Sequence, residues 1–328
     1  MPTATLEPLR RRLEQVLAAG RVASNVPLAA LTTFKVGGPA DLLVEPQGGD
    51  ELVRVLEAAS EAGVDVTLLG GGSNVLIGDG GVRGLVVRPR GGTIAEEGAS
   101  FVRADAAVTV NGLVRWTIGR GLAGLEAWAG TPGTVGGGVY GNAHWSGRLL
   151  SEVLHSVRVW ARGRGLVDVP VGEMEFGYDR SRLQHSRETL ISARFVITRG
   201  EPAALREIAR QSLAYRKRTQ PLHVPSAGCI FQNPQPGDPV PTDIPRSAGA
   251  LVDRAGLKGF RIGGAQVSPT HGNFIVNDGS ATAADIRALI EHCRLVVKER
   301  FAVPLRDEIV YMGEFYDQED RAGVRTSD

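Results

Sequence analysis

Two glycine-rich blocks carry the densest pattern of potential chemistry in this chain. The first, Gly70-Gly71-Gly72-Ser73-Asn74, directly follows a short β-rich run, Val64–Leu69. Successive glycines let the backbone turn tightly and aim several N–H groups at one anion; Ser73 and Asn74 add a hydroxyl and an amide suited to a pyrophosphate. Taken alone, the block is equally compatible with a hairpin turn that binds nothing. The second block, Gly130-Thr131-Pro132-Gly133-Thr134-Val135-Gly136-Gly137-Gly138-Val139-Tyr140-Gly141-Asn142-Ala143, supplies the second loop that an extended dinucleotide needs. Gly136–Gly141 fits G-x-G-x-x-G, but Pro132 and Gly133 precede it where a strand should stand. Arg158 rather than an acid lies about 20 residues past Gly138, so a Rossmann unit is rejected. No lysine completes a P-loop.

Reactive side chains outside these blocks are few. Lysine occurs only at 35, 217, 258 and 298, and the other basic residues are arginines. Cys229 and Cys293 are too few for a disulfide framework or a metal cluster. Cys293 falls on the stripe Ile286, Leu289, Ile290, Cys293, Val297 at helical spacing, which predicts a core position. Histidines 144, 155, 185, 223, 271 and 292 show no ligand spacing, so no metal is expected.

The elements that position these residues alternate without a regular βαβ beat, which favours an α+β fold. Helices are expected over Pro8–Ala19, Asp50–Ala62 (Asp50 as N-cap, Gly63 as stop), Val110–Gly119, Pro202–Arg218, Ala248–Ala255 and Ala283–Arg300. Extended segments are expected at Phe34–Val36, Leu42–Glu45, Leu85–Arg88, Phe101–Ala104, Val153–Trp160, Leu190–Thr198, Ala265–Ser268, Asn273–Val276 and Glu308–Met312. A long loop is expected from Gly130 to Gly147. Pro221 and Pro225 break the chain after the fifth helix and suggest a domain boundary at 219–225.

Bulk composition narrows the function classes. The chain has 328 residues with 43 glycines, and its net charge of +1 gives no pull toward nucleic acid or anionic lipid. Met1-Pro2-Thr3-Ala4 leads into a charged amphipathic stretch rather than the apolar core of a signal peptide, and no run reaches about 18 apolar residues. A soluble, cytoplasmic protein without nucleic-acid or membrane partners is expected.

Several motifs, in order, resemble the UDP-N-acetylenolpyruvoylglucosamine reductase family. They are Leu31-Thr32-Thr33-Phe34-Lys35-Val36-Gly37-Gly38-Pro39-Ala40, the two glycine blocks, Gln220-Pro221, Pro225-Ser226-Ala227-Gly228-Cys229-Ile230-Phe231-Gln232-Asn233-Pro234, Ala255-Gly256-Leu257-Lys258-Gly259 and Val267-Ser268 with Asn273-Phe274. The resemblance covers about residues 24–315, and the compact length resembles the family's shorter type. It implies a two-part FAD-binding domain of the vanillyl-alcohol-oxidase type and a smaller C-terminal α+β substrate domain. The expected division is an N-terminal helix over 1–23, the FAD domain over 24–218 and the substrate domain over 219–328. It further implies FAD as cofactor, held without a covalent link because no His or Cys lies between Leu68 and Ile77, and NADPH as reductant. Gly70, Gly71, Gly72, Ser73, Asn74, Gly133, Thr134, Gly136, Gly137 and Asn142 are the candidate cofactor contacts.

The implied reaction reduces the enolpyruvyl ether of UDP-N-acetylglucosamine in peptidoglycan precursor synthesis. Hydride addition to the methylene carbon builds negative charge on the adjacent carbon and carboxylate, which calls for a proton donor, a cation and a polarising acid. By resemblance Cys229 is the proton donor and Glu308 the acid; a thiol, with reference pKa of about 8.5, is a far stronger acid than a serine hydroxyl. The family's pattern Phe-Gly-Tyr-Arg-x-Ser reads here Phe176-Gly177-Tyr178-Asp179-Arg180-Ser181, so an acid stands where arginine is expected. Arg180 is the candidate cation, with Arg182 a weaker one. Lys217 and Asn233 match positions near the UDP diphosphate, although Arg216-Lys217-Arg218 also fits a solvated helix end. A different FAD oxidoreductase of the same fold, acting on another alcohol or sugar, and a catalytically silent nucleotide-binding protein are the competing readings. A monomer is favoured.

Overall fold

The computed structural model describes residues 6–18 and 20–316. Residues 1–5, Ala19 and 317–328, with the expectations that fall on them, lie outside the described residues.

The chain forms two compact units that interleave in sequence. Unit 1 comprises 1–24, 42–71 and 84–215; unit 2 comprises 25–41, 72–83 and 216–328. Two early segments, one carrying the Thr32–Gly38 motif and the other Ser73 and Asn74, group with the C-terminal part.

Unit 1 is built around a five-stranded sheet in the order 165–170, 154–161, 189–196, 101–105, 94–97, with every neighbour antiparallel. Its helices are α1 (Glu7–Val16), α2 (Gly48–Glu61), α3 (Val110–Gly119) and α4 (Val135–Tyr140). α5 (Pro202–Thr219) begins in unit 1 and ends in unit 2. α3 forms where its apolar spacing and Thr109 predict: the Thr109 hydroxyl caps it by accepting from the Gly112 N–H, and Val110, Leu113, Val114, Thr117 and Ile118 are buried. They join a core centred on the fully buried Trp128 and Phe195. A second core places Leu9 and Leu13 of α1 with Leu52, Val55 and Leu56 of α2. α4 interrupts the segment expected to be one long loop, with the Thr134 hydroxyl accepting from the Gly137 N–H at its start. Its glycine content hides it from propensity, since glycine disfavours helix by about 1 kcal/mol per residue.

Unit 2 holds α6 (Ala248–Arg254) and α7 (Ala283–Phe301), a three-stranded antiparallel sheet of 261–262, 265–267 and 275–277, and a parallel pair of 75–77 with 310–312. Thr282 and Asp285 form a capping box on α7, and the Asp79 carboxylate accepts from the N–H groups of Ala283 and Ala284. The stripe Ile286, Leu289, Ile290, Cys293, Val297 is buried in the unit 2 core. Phe34–Val36, expected as extended strand, forms a turn instead. The Thr32 hydroxyl donates to the Val36 carbonyl and accepts from the Lys35 N–H, and Lys35 takes a left-handed φ of 61°. Asn277, buried, donates from its amide to the Phe34 carbonyl, so this motif is a packing element.

Candidate functional site

The residues expected to do chemistry fall into a nucleotide-type loop system and a catalytic segment, each best understood from its backbone upward. Gly71 of the first loop lies against the second loop of the same unit: a Cβ on Gly71 would come within 2.7 Å of the Gly133 Cα. At Gly70 a Cβ would meet the Thr134 hydroxyl at 2.8 Å. These glycines are therefore required by loop-on-loop contact, before any ligand is considered.

The two loops differ in what they can offer an anion. None of the backbone N–H groups of Gly70, Gly71, Gly72, Ser73 and Asn74 donates to an acceptor among the described residues. Consecutive backbone donors of this kind are the chemistry an anion calls for. In the second loop most donors are already used, though the N–H groups of Gly133 and Thr134 donate to no acceptor among the described residues. Val135 and Gly136 donate to the carbonyls of Val108 and Ala106, and Gly137 donates to the Thr134 hydroxyl. Gly133 gives its carbonyl to the Val110 N–H. Asn142, fully buried, donates to the Gly177 carbonyl at 2.8 Å and accepts from the Ser151 N–H at 2.9 Å, so it ties these two backbone segments together. Open backbone donors thus stand in both loops, from Gly70 to Asn74 in the first and at Gly133 and Thr134 in the second, a donor chemistry compatible with a pyrophosphate.

The catalytic segment lies in unit 2. Gly228, with φ of 82°, turns the chain into Cys229, which is half-buried and forms a bridge to Phe274. Ile230 and Phe231 behind it are buried. Asn273 clamps this stretch: its carbonyl oxygen accepts from the Phe231 N–H at 2.9 Å and its amide donates to the Phe231 carbonyl at 2.7 Å. Glu308 donates its N–H to the Ile230 carbonyl at 2.8 Å, which sets the glutamate backbone one residue from Cys229. The Asn74 amide donates to the Glu308 carbonyl at 3.0 Å.

The residues beside Glu308 hold its position. Arg306 pairs with Asp238 through both guanidinium nitrogens, and Arg294 grips both oxygens of Asp307 at 2.6 and 2.7 Å. Burial pushes the Asp307 carboxyl above its usual range, with Arg294 opposing. Asp307 is thus tied down in an ion pair. The strand begins at Val310, two residues later than expected, so Glu308 lies just before it.

Sequence reasoning missed Arg216. It is only 6% exposed, and desolvation lowers its guanidinium pKa to about 10, while the nearby Cys229 opposes that shift. Its signal was available: Leu205, Ala209, Ser212 and Arg216 share one face of α5, so an arginine ends the buried stripe. Lys217, the expected contact, is exposed on the last turn of α5. Asn233 is also exposed, and its side-chain carbonyl accepts from the Ala248 N–H at the start of α6.

In unit 1 the segment 177–181 forms a tight turn closed by mutual backbone hydrogen bonds between Gly177 and Arg180. Arg180 is exposed at its end. Arg182 is committed to Glu188 through two hydrogen bonds. The side chain turned inward is that of Asp179, which accepts from His144 Nδ1 at 3.1 Å.

Comparison with known proteins agrees with this arrangement. Residues 40–168 match a family profile described as an FAD binding domain. Residues 220–312 match the UDP-N-acetylenolpyruvoylglucosamine reductase C-terminal domain. A UDP-N-acetylenolpyruvoylglucosamine reductase from a Synechococcus species is 41% identical over 303 residues, covering 91% of this chain and 94% of that protein. The chain belongs to the UDP-N-acetylenolpyruvoylglucosamine reductase family. The Bacillus subtilis member is 37% identical over 297 residues, covering 90% of this chain and 95% of its own length. The crystal structure of the Thermus caldophilus member superposes with a TM-score of 0.73 at 33% identity, covering 89% of this chain and 98% of that one. The matched spans include both glycine loops and the Cys229 segment.

Proposed function

We propose that this chain reduces UDP-N-acetylglucosamine enolpyruvate to UDP-N-acetylmuramate, with Cys229 and Glu308 as its catalytic pair. As a member of its family it is an FAD-dependent oxidoreductase of peptidoglycan precursor synthesis, with NADPH as reductant. The observation that carries the catalytic assignment is the hydrogen bond from the Glu308 N–H to the Ile230 carbonyl, which holds an acid beside the cysteine segment.

FAD, when bound, would supply the two-electron hydride chemistry that links NADPH to the substrate. The open N–H groups from Gly70 to Asn74 would hold the cofactor pyrophosphate, without a covalent link. Cys229 would hold the proton that is delivered to the carbon next to the substrate carboxylate as negative charge develops there. Glu308 would polarise that position, its backbone fixed from both sides by Ile230 and Asn74. Lys217, an exposed cation, and Asn233 would reach the UDP diphosphate. That charge also calls for a cation at the substrate carboxylate, for which the turn 177–181 offers the exposed Arg180. Among the described residues no helix is long and apolar enough to cross a membrane, and we place the enzyme in the cytoplasm.

The test is an anaerobic visible spectrum. With NADPH the flavin band near ~450 nm bleaches, and the enolpyruvyl sugar restores it. A band that bleaches and stays bleached would overturn the substrate in favour of another flavoenzyme of this fold. A protein that takes up no FAD would overturn the reading of the glycine loop.

A further inference from the structure

His271 closes its own loop with a hydrogen bond that depends on its state of charge. Its Nδ1 accepts from the backbone N–H of Asn273, two residues on, at 3.2 Å. An accepting Nδ1 carries no proton, so the ring is neutral with its hydrogen on Nε2. The Phe274 N–H donates to the His271 carbonyl, and the Ser268 hydroxyl accepts from the N–H groups of Thr270 and His271 at 3.1 and 3.4 Å. These bonds make 268–274 a compact turn with the imidazole folded back on it.

The surroundings keep the ring neutral. It packs edge-on to the Phe274 ring, with centroids 4.8 Å apart. A Cβ on Gly249 of α6 would approach its Cε1 to 3.3 Å, so the glycine leaves the imidazole room. The charged groups on the neighbouring elements are Lys258 and the Asp253 carboxylate to which it donates at 2.6 Å. Burial first, and then the Lys258 ammonium, push the His271 pKa below its usual value of about 6.5.

Asn273 carries this constraint to the catalytic segment. Its backbone carbonyl accepts from the Ile230 N–H at 2.9 Å, and Phe274 beside it bridges Cys229. The Asn273 side chain serves a different partner, the backbone of Phe231. The main chain of Asn273 is thus tied to the imidazole through its N–H and to the neighbour of Cys229 through its carbonyl. His271, Asn273 and Cys229 all belong to unit 2.

We propose that His271 is a positioning residue for Cys229: its neutral ring fixes the main chain of Asn273, and Asn273 fixes the segment that carries the thiol. The proposal rests on the reductase reading above, in which Cys229 gives its proton to the substrate carbon. Protonation of His271 puts a hydrogen on Nδ1, facing the Asn273 N–H, and the bond is lost. The thiol then loses the placement that proton delivery needs, whereas reduction of the flavin by NADPH does not use that proton. The bond is present above the folded pKa of His271 and disappears as pH falls through it, so flavin reoxidation should show an acid limb below about pH 6.5.

The experiment compares His271→Asn and His271→Ala with the parent as FAD-loaded proteins, by anaerobic stopped-flow of the two half-reactions from about pH 5 to 8. Asn places an oxygen where Nδ1 stands, able to accept from the N–H two residues on and with no proton to gain. His271→Asn should keep reoxidation by the enolpyruvyl sugar within about 3-fold of the parent at pH 7 and lose the acid limb. His271→Ala, with no acceptor, should slow reoxidation about 10-fold at pH 7, with KM for the sugar and reduction by NADPH within about 2-fold. The proposal is overturned if the parent has no acid limb, if the limb persists in His271→Asn, or if His271→Ala reoxidises at the parent rate. Should His271→Ala fail to fold, the pH profile of His271→Asn decides alone. Loss of cooperative melting in both variants would overturn the proposal by showing that the ring serves folding. A parent protein that the enolpyruvyl sugar never reoxidises would sink the reductase reading instead. Alkylation of Cys229 by iodoacetamide needs no substrate and then decides for His271: a break below about pH 6.5 that His271→Asn lacks supports its role, and identical profiles overturn it.

Discussion

Asn74 donates its side-chain amide to the backbone carbonyl of Glu308 at 3.0 Å, joining positions 234 residues apart. One residue thus ends the run of open N–H donors in the first glycine loop and fixes the backbone of the proposed acid. Asn74→Ala should lower turnover about 10-fold while retaining FAD, whereas Glu308→Gln should lower it by about 100-fold or more, because only the second removes the reacting group. Steady-state kinetics beside the flavin absorbance ratio checks this. Equal losses in both variants would mean that the bond to Asn74 does not merely position Glu308.

Cys229→Ala should separate the two half-reactions. NADPH should still bleach the flavin, while reoxidation by the enolpyruvyl sugar should slow by about 100-fold, within the range of general acid catalysis. Cys229→Ser, which keeps a donor of higher pKa, should regain part of that loss. Reoxidation at the parent rate in Cys229→Ala would remove the thiol from the mechanism.

The two cysteines should differ sharply toward an alkylating reagent. Cys293 is 1% exposed and its pKa is pushed up to about 12 by burial, so its thiolate is scarce at any pH the fold tolerates. Cys229 is half-buried in the candidate site. Iodoacetamide at pH 8 should label Cys229 first and stop activity, with Cys293 reacting only after unfolding. Mass spectrometry of the digested protein reads the order, and early labelling of Cys293 would contradict its core position.

Asn273 should matter for folding rather than for any single chemical step. It is 4% exposed and bonds both the N–H and the carbonyl of buried Phe231. Asn273→Ala leaves those groups without partners, at about 1–3 kcal/mol each, so the melting temperature should drop. A variant with parent stability would mean water replaces the amide.

Stability should also carry a pH signature in unit 1. Glu51 is held below the usual carboxylate range, first by its hydrogen bond from Arg21, with burial opposing. Its folded pKa lies under the unfolded value of about 4.3, so its contribution is complete above that value and disappears as pH falls through the folded one. Arg21→Met should cost about 1 kcal/mol at pH 7, and the gap to the parent protein should close below about pH 4. Thermal melts across pH 3–7 check it; a constant gap would assign the effect to packing.

Periodic elements were legible in the sequence for local reasons. α3 spans the expected Val110–Gly119, and α7 places Cys293 among Ile286, Leu289, Ile290 and Val297 as the 3.6-residue stripe requires. The glycine blocks were found because tight turns leave a mark on composition, whereas the Cys229 segment was found through the family resemblance. The family resemblance then supplied roles that spacing alone could not.

Only the tertiary structure decided which of these groups meet. Nothing local to His144 or Asp179 announces their hydrogen bond, because the partners lie on separate segments brought together by Asn142, Ser181 and Gln184. The same holds for the interleaved units and for the burial of Arg216, which depend on long-range packing. The chain encodes turns and stripes residue by residue, but whether a polar side chain is a ligand contact, a latch or an ion pair depends on what folding places beside it.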